Sequence, residues 1–193
     1  MRLPVVHSPC SCRQRRASLA PRVLLRTVSV GGGPTAVAVA ERSGHIFVGN
    51  SNADTVSMLD ARTGPVLRTA RMEHSPRAVA VDDRTGRVVV LSRGIDDAYV
   101  PPIGLSGTVS ALDARTGTVL HTVAVGVGPR AIAVDERRGR VFVANTRSNS
   151  VSVLDAGSGA LLRTVVVGAG PSAAAVDERI GKVFVSTLGD DRT

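Results

Sequence analysis

A Pro-x-Ala pattern returns along this chain at Pro34, Pro76, Pro129 and Pro171, in steps of 42, 53 and 42 residues. The aspartates of three Leu-Asp-Ala triplets, Asp60, Asp113 and Asp155, keep the same arithmetic, as do Gly64, Gly117 and Gly159. The long step is one period carrying an insertion of 11 residues, which falls within Arg93 to Ser106. A fixed period of this length means that one structural unit is copied, and that a unit buries its apolar surface against its neighbours rather than alone.

Each copy contains four short apolar runs. In the copy that opens at Pro129 they are Arg130 to Val134, Val141 to Ala144, Val151 to Leu154 and Leu161 to Val167. They are rich in Val and Leu, a few residues long and bounded by Gly- or Asn-containing turns, which is a strand signature. The third run alternates Val151, Ser152, Val153, as a strand with two unlike faces does. Two connections per copy are tight: Asp135 to Gly139, and Asp155 to Gly159. The leading Asp bonds the backbone of its own turn, and the trailing Gly takes the positive φ that closes a hairpin. The copy is therefore expected to be a four-stranded antiparallel meander, the length and pattern of a propeller blade.

With those residues in view, the copies resemble the YVTN β-propeller repeat of bacterial and archaeal surface-layer and periplasmic proteins. The naming tetrapeptide stands as Phe47-Val48-Gly49-Asn50 and Phe142-Val143-Ala144-Asn145, and the downstream signature as Ser148-Asn149-Ser150-Val151-Ser152-Val153-Leu154-Asp155. The copy that opens at Pro76 departs from it, with Val89-Val90-Leu91-Ser92, and the last reads Phe184-Val185-Ser186-Thr187. The resemblance implies an all-β fold of radially arranged blades and a habitat in the cell envelope or outside the cell. It implies no particular ligand. A WD40 assignment fits poorly, because the chain has no Trp.

The expected domain plan is a basic tail over residues 1–22 and a partial propeller over 23–193, with blades at about 31–70, 71–125, 126–167 and 168–193. Residues 23–30, Val-Leu-Leu-Arg-Thr-Val-Ser-Val, repeat the fourth run of a copy and read as an extra outer strand. The fold class is thus all-β: about three full blades plus a partial fourth, in an incomplete or open propeller. Such an array is expected to be a fragment of a longer propeller or to associate with itself through open blade edges.

Composition sharpens a few exclusions. Net charge is +8, but residues 1–26 hold six arginines and no acid, so the repeats themselves are nearly balanced. The tail has no apolar run fit for a secretory signal, and no stretch is fit to span a membrane. It has no aromatic residue on which to stack bases, so nucleic acid is not an expected partner. Cys10 and Cys12, with His7, are read as thiols and a His in a tail rather than as a zinc site, which takes four ligands.

The recurring acids Asp82, Asp135 and Asp177, and Asp60, Asp113 and Asp155, sit in tight turns and are read as structural. His45 and His121 occupy positions held elsewhere by basic residues and are read as idle variants. Residues that break the repeat gather at the opposite end of the blades, and loops on a rigid scaffold are where function concentrates. There Glu73, His74, Arg93, Asp96, Asp97 and Tyr99 are a candidate ligand or metal site; the competing reading is a polar loop that tolerates insertion. No catalytic residue, no resident metal and no cofactor is expected. The functional expectation is a non-catalytic binding or scaffold module whose partner is an unknown protein or small ligand. The alternative is a remnant or subunit of a propeller enzyme of lactonase, lyase or quinoprotein type.

Overall fold

The computed structural model describes residues 27–94 and 106–189. Every regular element in them is a strand. The first blade consists of β1 (Pro34–Ala40), β2 (His45–Asn50), β3 (Thr55–Asp60) and β4 (Val66–Arg71). The second comprises β5 (Pro76–Asp82), β6 (Arg87–Ser92), β7 (Ser106–Asp113) and β8 (Val119–Val127). The third is β9 (Pro129–Asp135), β10 (Arg140–Asn145), β11 (Ser150–Asp155) and β12 (Leu161–Val166). The last is a pair, β13 (Ala173–Asp177) and β14 (Lys182–Ser186). Three sheets of four strands and one of two follow, each in chain order and each antiparallel. Thr27–Val30 run up to β1 without strand pairing, and residues 23–26 of the expected extra strand lie outside the described residues.

Turn chemistry sets the strand ends. Asp155 Oδ1 accepts the amides of Gly157 and Ser158 at 3.1 and 2.9 Å, and Gly159 closes the turn at φ 71°. Asp60 and Asp113 repeat the arrangement with the amides of Arg62 and Thr63, and of Arg115 and Thr116. The amide of Thr63, then its hydroxyl, holds the Asp60 carboxyl below the usual carboxylate range, and the bonds from Ser158 do the same for Asp155. A carboxyl depressed on folding stabilises the fold above its unfolded pKa and ceases to do so as pH falls through the folded value. Asp155→Asn keeps the turn acceptor but removes the titration. Its stability is therefore expected to change less between about pH 5 and pH 2 than that of the parent chain, by urea denaturation at each pH.

The sheets stack face to face around an axis lined by their first strands: β1 packs on β5, β5 on β9, and β9 on β13. The seam between the first two blades is a core of Ala40, Phe47, Val56, Met58 and Met72 from one side and Val88, Val90, Leu112 and Ala114 from the other. The next seam repeats it with Val89, Leu91, Val109 and Val125 against Val141, Val143, Leu154 and Ala156. Short β-branched side chains suit such thin seams, where both faces of a sheet are covered. Fourth strands lie at the rim, and β12 is exposed along its whole length. Among the described residues β13 does not pack back onto β1, so the array is open.

Candidate functional site

Each complete blade carries an irregularity at the same place. Pro34 pairs with Asn50 but Ala36 with Gly49; Pro76 pairs with Ser92 but Ala78 with Leu91; Pro129 pairs with Asn145 but Ala131 with Ala144. One residue is therefore extra in each innermost strand: Thr35, Arg77 and Arg130. A bulge of this kind re-aims its side chain, and proline is tolerated beside it because no ladder amide is needed there. The bulges stand at the end of the blades where the second strand hands over to the third, near the axis.

Here Arg77 and Arg130 meet Arg93 and Arg147, which follow the second strands of the middle two blades. With Gly128, Pro129 and Thr146 these four arginines line a cavity of about 410 Å³. No acid is among the described residues that line it. Arg77, Arg130 and Arg147 are exposed and Arg93 is half-buried. Burial first, then the like charges of Arg77, Arg147 and Arg130, hold the Arg93 guanidinium below its ordinary value. Guanidinium groups remain charged at any ordinary pH, so the described lining brings four positive charges to one cavity. An oxyanion placed within it lowers the mutual repulsion and takes paired N–H bonds from each planar fork. The volume lies in the range of small-ligand sites.

The wall is held by short-range bonds. Thr146 Oγ1 donates to the carbonyl of Pro171 at 2.7 Å and Thr35 Oγ1 to that of Pro76 at 3.0 Å, tying neighbouring blades beside the mouth. Asn145 Nδ2 donates to Ser150 and Ser152 at 3.2 and 2.9 Å, and Asn50 Nδ2 to Thr55 and Ser57 at 3.1 and 2.9 Å. These asparagines therefore bridge their own turn and reach a further residue into the third strand. Both are fully buried.

Of the sequence candidates, Arg93 is at the cavity. Glu73 is exposed and His74 half-buried, and neither lines it. Their link is nonetheless close by, because the Arg93 amide donates to the Ser75 carbonyl at 3.1 Å. Asp96, Asp97 and Tyr99 lie outside the described residues. Among the described residues no three His, Cys, Asp or Glu side chains gather as metal ligands, and no helix is long and apolar enough to cross a membrane. Arg77, Arg130 and Arg147 were missed from sequence. Arg77 and Arg130 share one repeat position, which reads Thr35, Arg77, Arg130 and Ser172 across the copies; that variation is visible in the sequence, but the bulge that gives it meaning is not.

The blades and their order define a propeller-like fold. No protein-family profile and no curated protein sequence matches the chain. Among solved structures it is similar to Kuenenia stuttgartiensis hydrazine synthase, with a TM-score of 0.69 and 21% identity over 87% of this chain and 46% of that one. It is also similar to the computationally designed Ika8 protein, with a TM-score of 0.59 and 20% identity over 80% of this chain and 46% of that one. At these identities the similarity concerns the fold alone. The chain spans about half the length of both.

Proposed function

We propose that this chain is a non-catalytic binding module of YVTN β-propeller type, whose axial mouth holds an anionic group of its partner between Arg77, Arg93, Arg130 and Arg147. The observation that carries the reading is the convergence of these four arginines on one cavity whose described lining contains no acid. The buried Asn50 and Asn145, each bonded to a pair of third-strand hydroxyls, support the YVTN assignment by giving its Asn and Ser-Val-Ser positions a common physical purpose. Glu73 and His74, whose link bonds the chain at Arg93, are proposed to contact the remainder of the partner, together with Asp96, Asp97 and Tyr99, which lie outside the described residues.

The test is calorimetric titration of the full chain with inorganic phosphate and with citrate. The variant is Arg77→Thr/Arg130→Ser, which installs residues that the repeat itself places at the bulge. Binding is expected to weaken about tenfold or more in the variant and to fall with added salt. A parent chain that binds neither anion, or a variant that binds as well as the parent, removes the proposal.

A further inference from the structure

The three seams between blades are alike at one end and unlike at the other. At the end away from the mouth, an arginine of the earlier blade donates across each seam: Arg42 to the Asp83 carbonyl at 3.4 Å, Arg84 to that of Glu136 at 2.5 Å and Arg138 to that of Glu178 at 2.8 Å. A carboxylate of the later blade accepts in return. Asp83 takes the Glu41 amide at 3.1 Å, Glu136 that of Asp83, and Glu178 that of Glu136 at 3.0 Å. The apolar core of the middle seam is also continuous, with Val89 and Leu91 on one side and Val141 and Val143 on the other.

At the mouth, the first seam is tied by Thr35 Oγ1, which donates to the Pro76 carbonyl of the next blade, and the last seam by Thr146 Oγ1, which donates to that of Pro171. Thr35 is the bulge residue of its blade, and Thr146 directly follows its second strand. On the second blade these two positions are Arg77 and Arg93. The middle seam therefore has a guanidinium at both places from which its neighbours extend a hydroxyl. Pro129, the counterpart of the two acceptor prolines, is in the cavity lining, and so are Arg130 and Arg147 of the third blade. Where the flanking seams have a neutral hydrogen bond, the middle one has two positive charges on each side, and like charges facing one cavity repel.

We propose that the occupant of the mouth is a tetrahedral oxyanion, a phosphate or a phosphate monoester, and that it is the tether of the middle seam, bonding the second blade through Arg77 and Arg93 and the third through Arg130 and Arg147. The inference rests on the reading of the mouth as an anion site and adds the ligand class and what binding does to the fold. A carboxylate holds its two oxygens in one plane and is matched by a single planar fork. A tetrahedral oxyanion presents oxygens on all sides and so meets forks from two opposed walls. Once bound, it turns repulsion across the seam into attraction from both blades. The firmness of this seam at the mouth then follows the anion concentration, whereas the flanking seams are tied by the chain itself.

The test is amide hydrogen exchange of the full chain, read by mass spectrometry over 130–134 in the third blade and 36–40 in the first. Inorganic phosphate at about ten times its calorimetric Kd is expected to slow exchange over 130–134 about fivefold or more relative to 36–40. Acetate at equal ionic strength is expected to change that ratio less than about twofold. Arg77→Thr installs the first blade's own tether residue. It is expected to slow exchange over 130–134 without phosphate, and phosphate then adds less than about twofold. Phosphate that binds but slows both segments equally overturns this inference and leaves the anion site standing, because binding alone stabilises the whole fold. Acetate as effective as phosphate, or an Arg77→Thr chain as dependent on phosphate as the parent, overturns it too. A chain that binds no phosphate removes both readings.

Discussion

Phe47→Ala is expected to cost about 3–5 kcal/mol of unfolding free energy, the range for emptying a large buried aromatic site. The side chain is fully buried at the seam between the first two blades, among Met58, Val88 and Val90. The seam has little means of collapsing around the void, because β2 is fixed on both edges, Phe47 opposite Ala38 on one side and Met58 on the other. With total stabilities of about 5–15 kcal/mol for a domain, a loss of that size leaves the first blade marginal. Phe184→Ala changes the same repeat position where nothing covers it, and is expected to cost the folded monomer less than about 0.5 kcal/mol. Urea denaturation followed by far-UV circular dichroism decides this; the chain has no Trp and a single Tyr, so fluorescence is a weak probe. Equal losses for the two phenylalanines would contradict the stacking described above.

Gly159→Ala is expected to destabilise by about 2–3 kcal/mol, from two separable causes. At φ 71° an alanine is strained by about 1 kcal/mol. Beyond that, an added Cβ would run into the imidazole of His121, which comes from the outer strand of the preceding blade. Gly86→Ala isolates the first cause: φ is 67° there and nothing lies within 4 Å of the added carbon. It is expected to cost about 1 kcal/mol. In a His121→Ala background the penalty at position 159 is expected to fall toward that of Gly86→Ala, and a double-mutant cycle measures the difference. A cycle without coupling would mean that the imidazole swings aside without cost.

His121 also shows where sequence reading stopped. As one basic residue among several at its repeat position it looked idle, yet it fills the space above a neighbouring blade's turn. Burial, then the charge of Arg87, lowers its pKa and so favours the neutral ring. Turn glycines, leading aspartates and alternating valines are local signals, and strand limits such as Asn145 and Asp155 were legible from them. Blade order was legible because the period repeats. Contacts between blades were not, since partners such as Arg84 and Glu136 lie 52 residues apart and neither is unusual by itself. The arginine mouth escaped for a similar reason. Acids that interrupt the pattern attract notice, whereas Arg77 and Arg130 sit in an extra residue that only strand register reveals. Arg93 was found because the insertion begins beside it.

The hairpin contacts that tie the first blade to Asp83, the second to Glu136 and the third to Glu178 all run one way: the earlier blade donates from an amide or an arginine, and the later blade accepts on a carboxylate or a carbonyl. The two faces of a blade are therefore unlike at this end, and each seam of the described array has a polarity written into its turns.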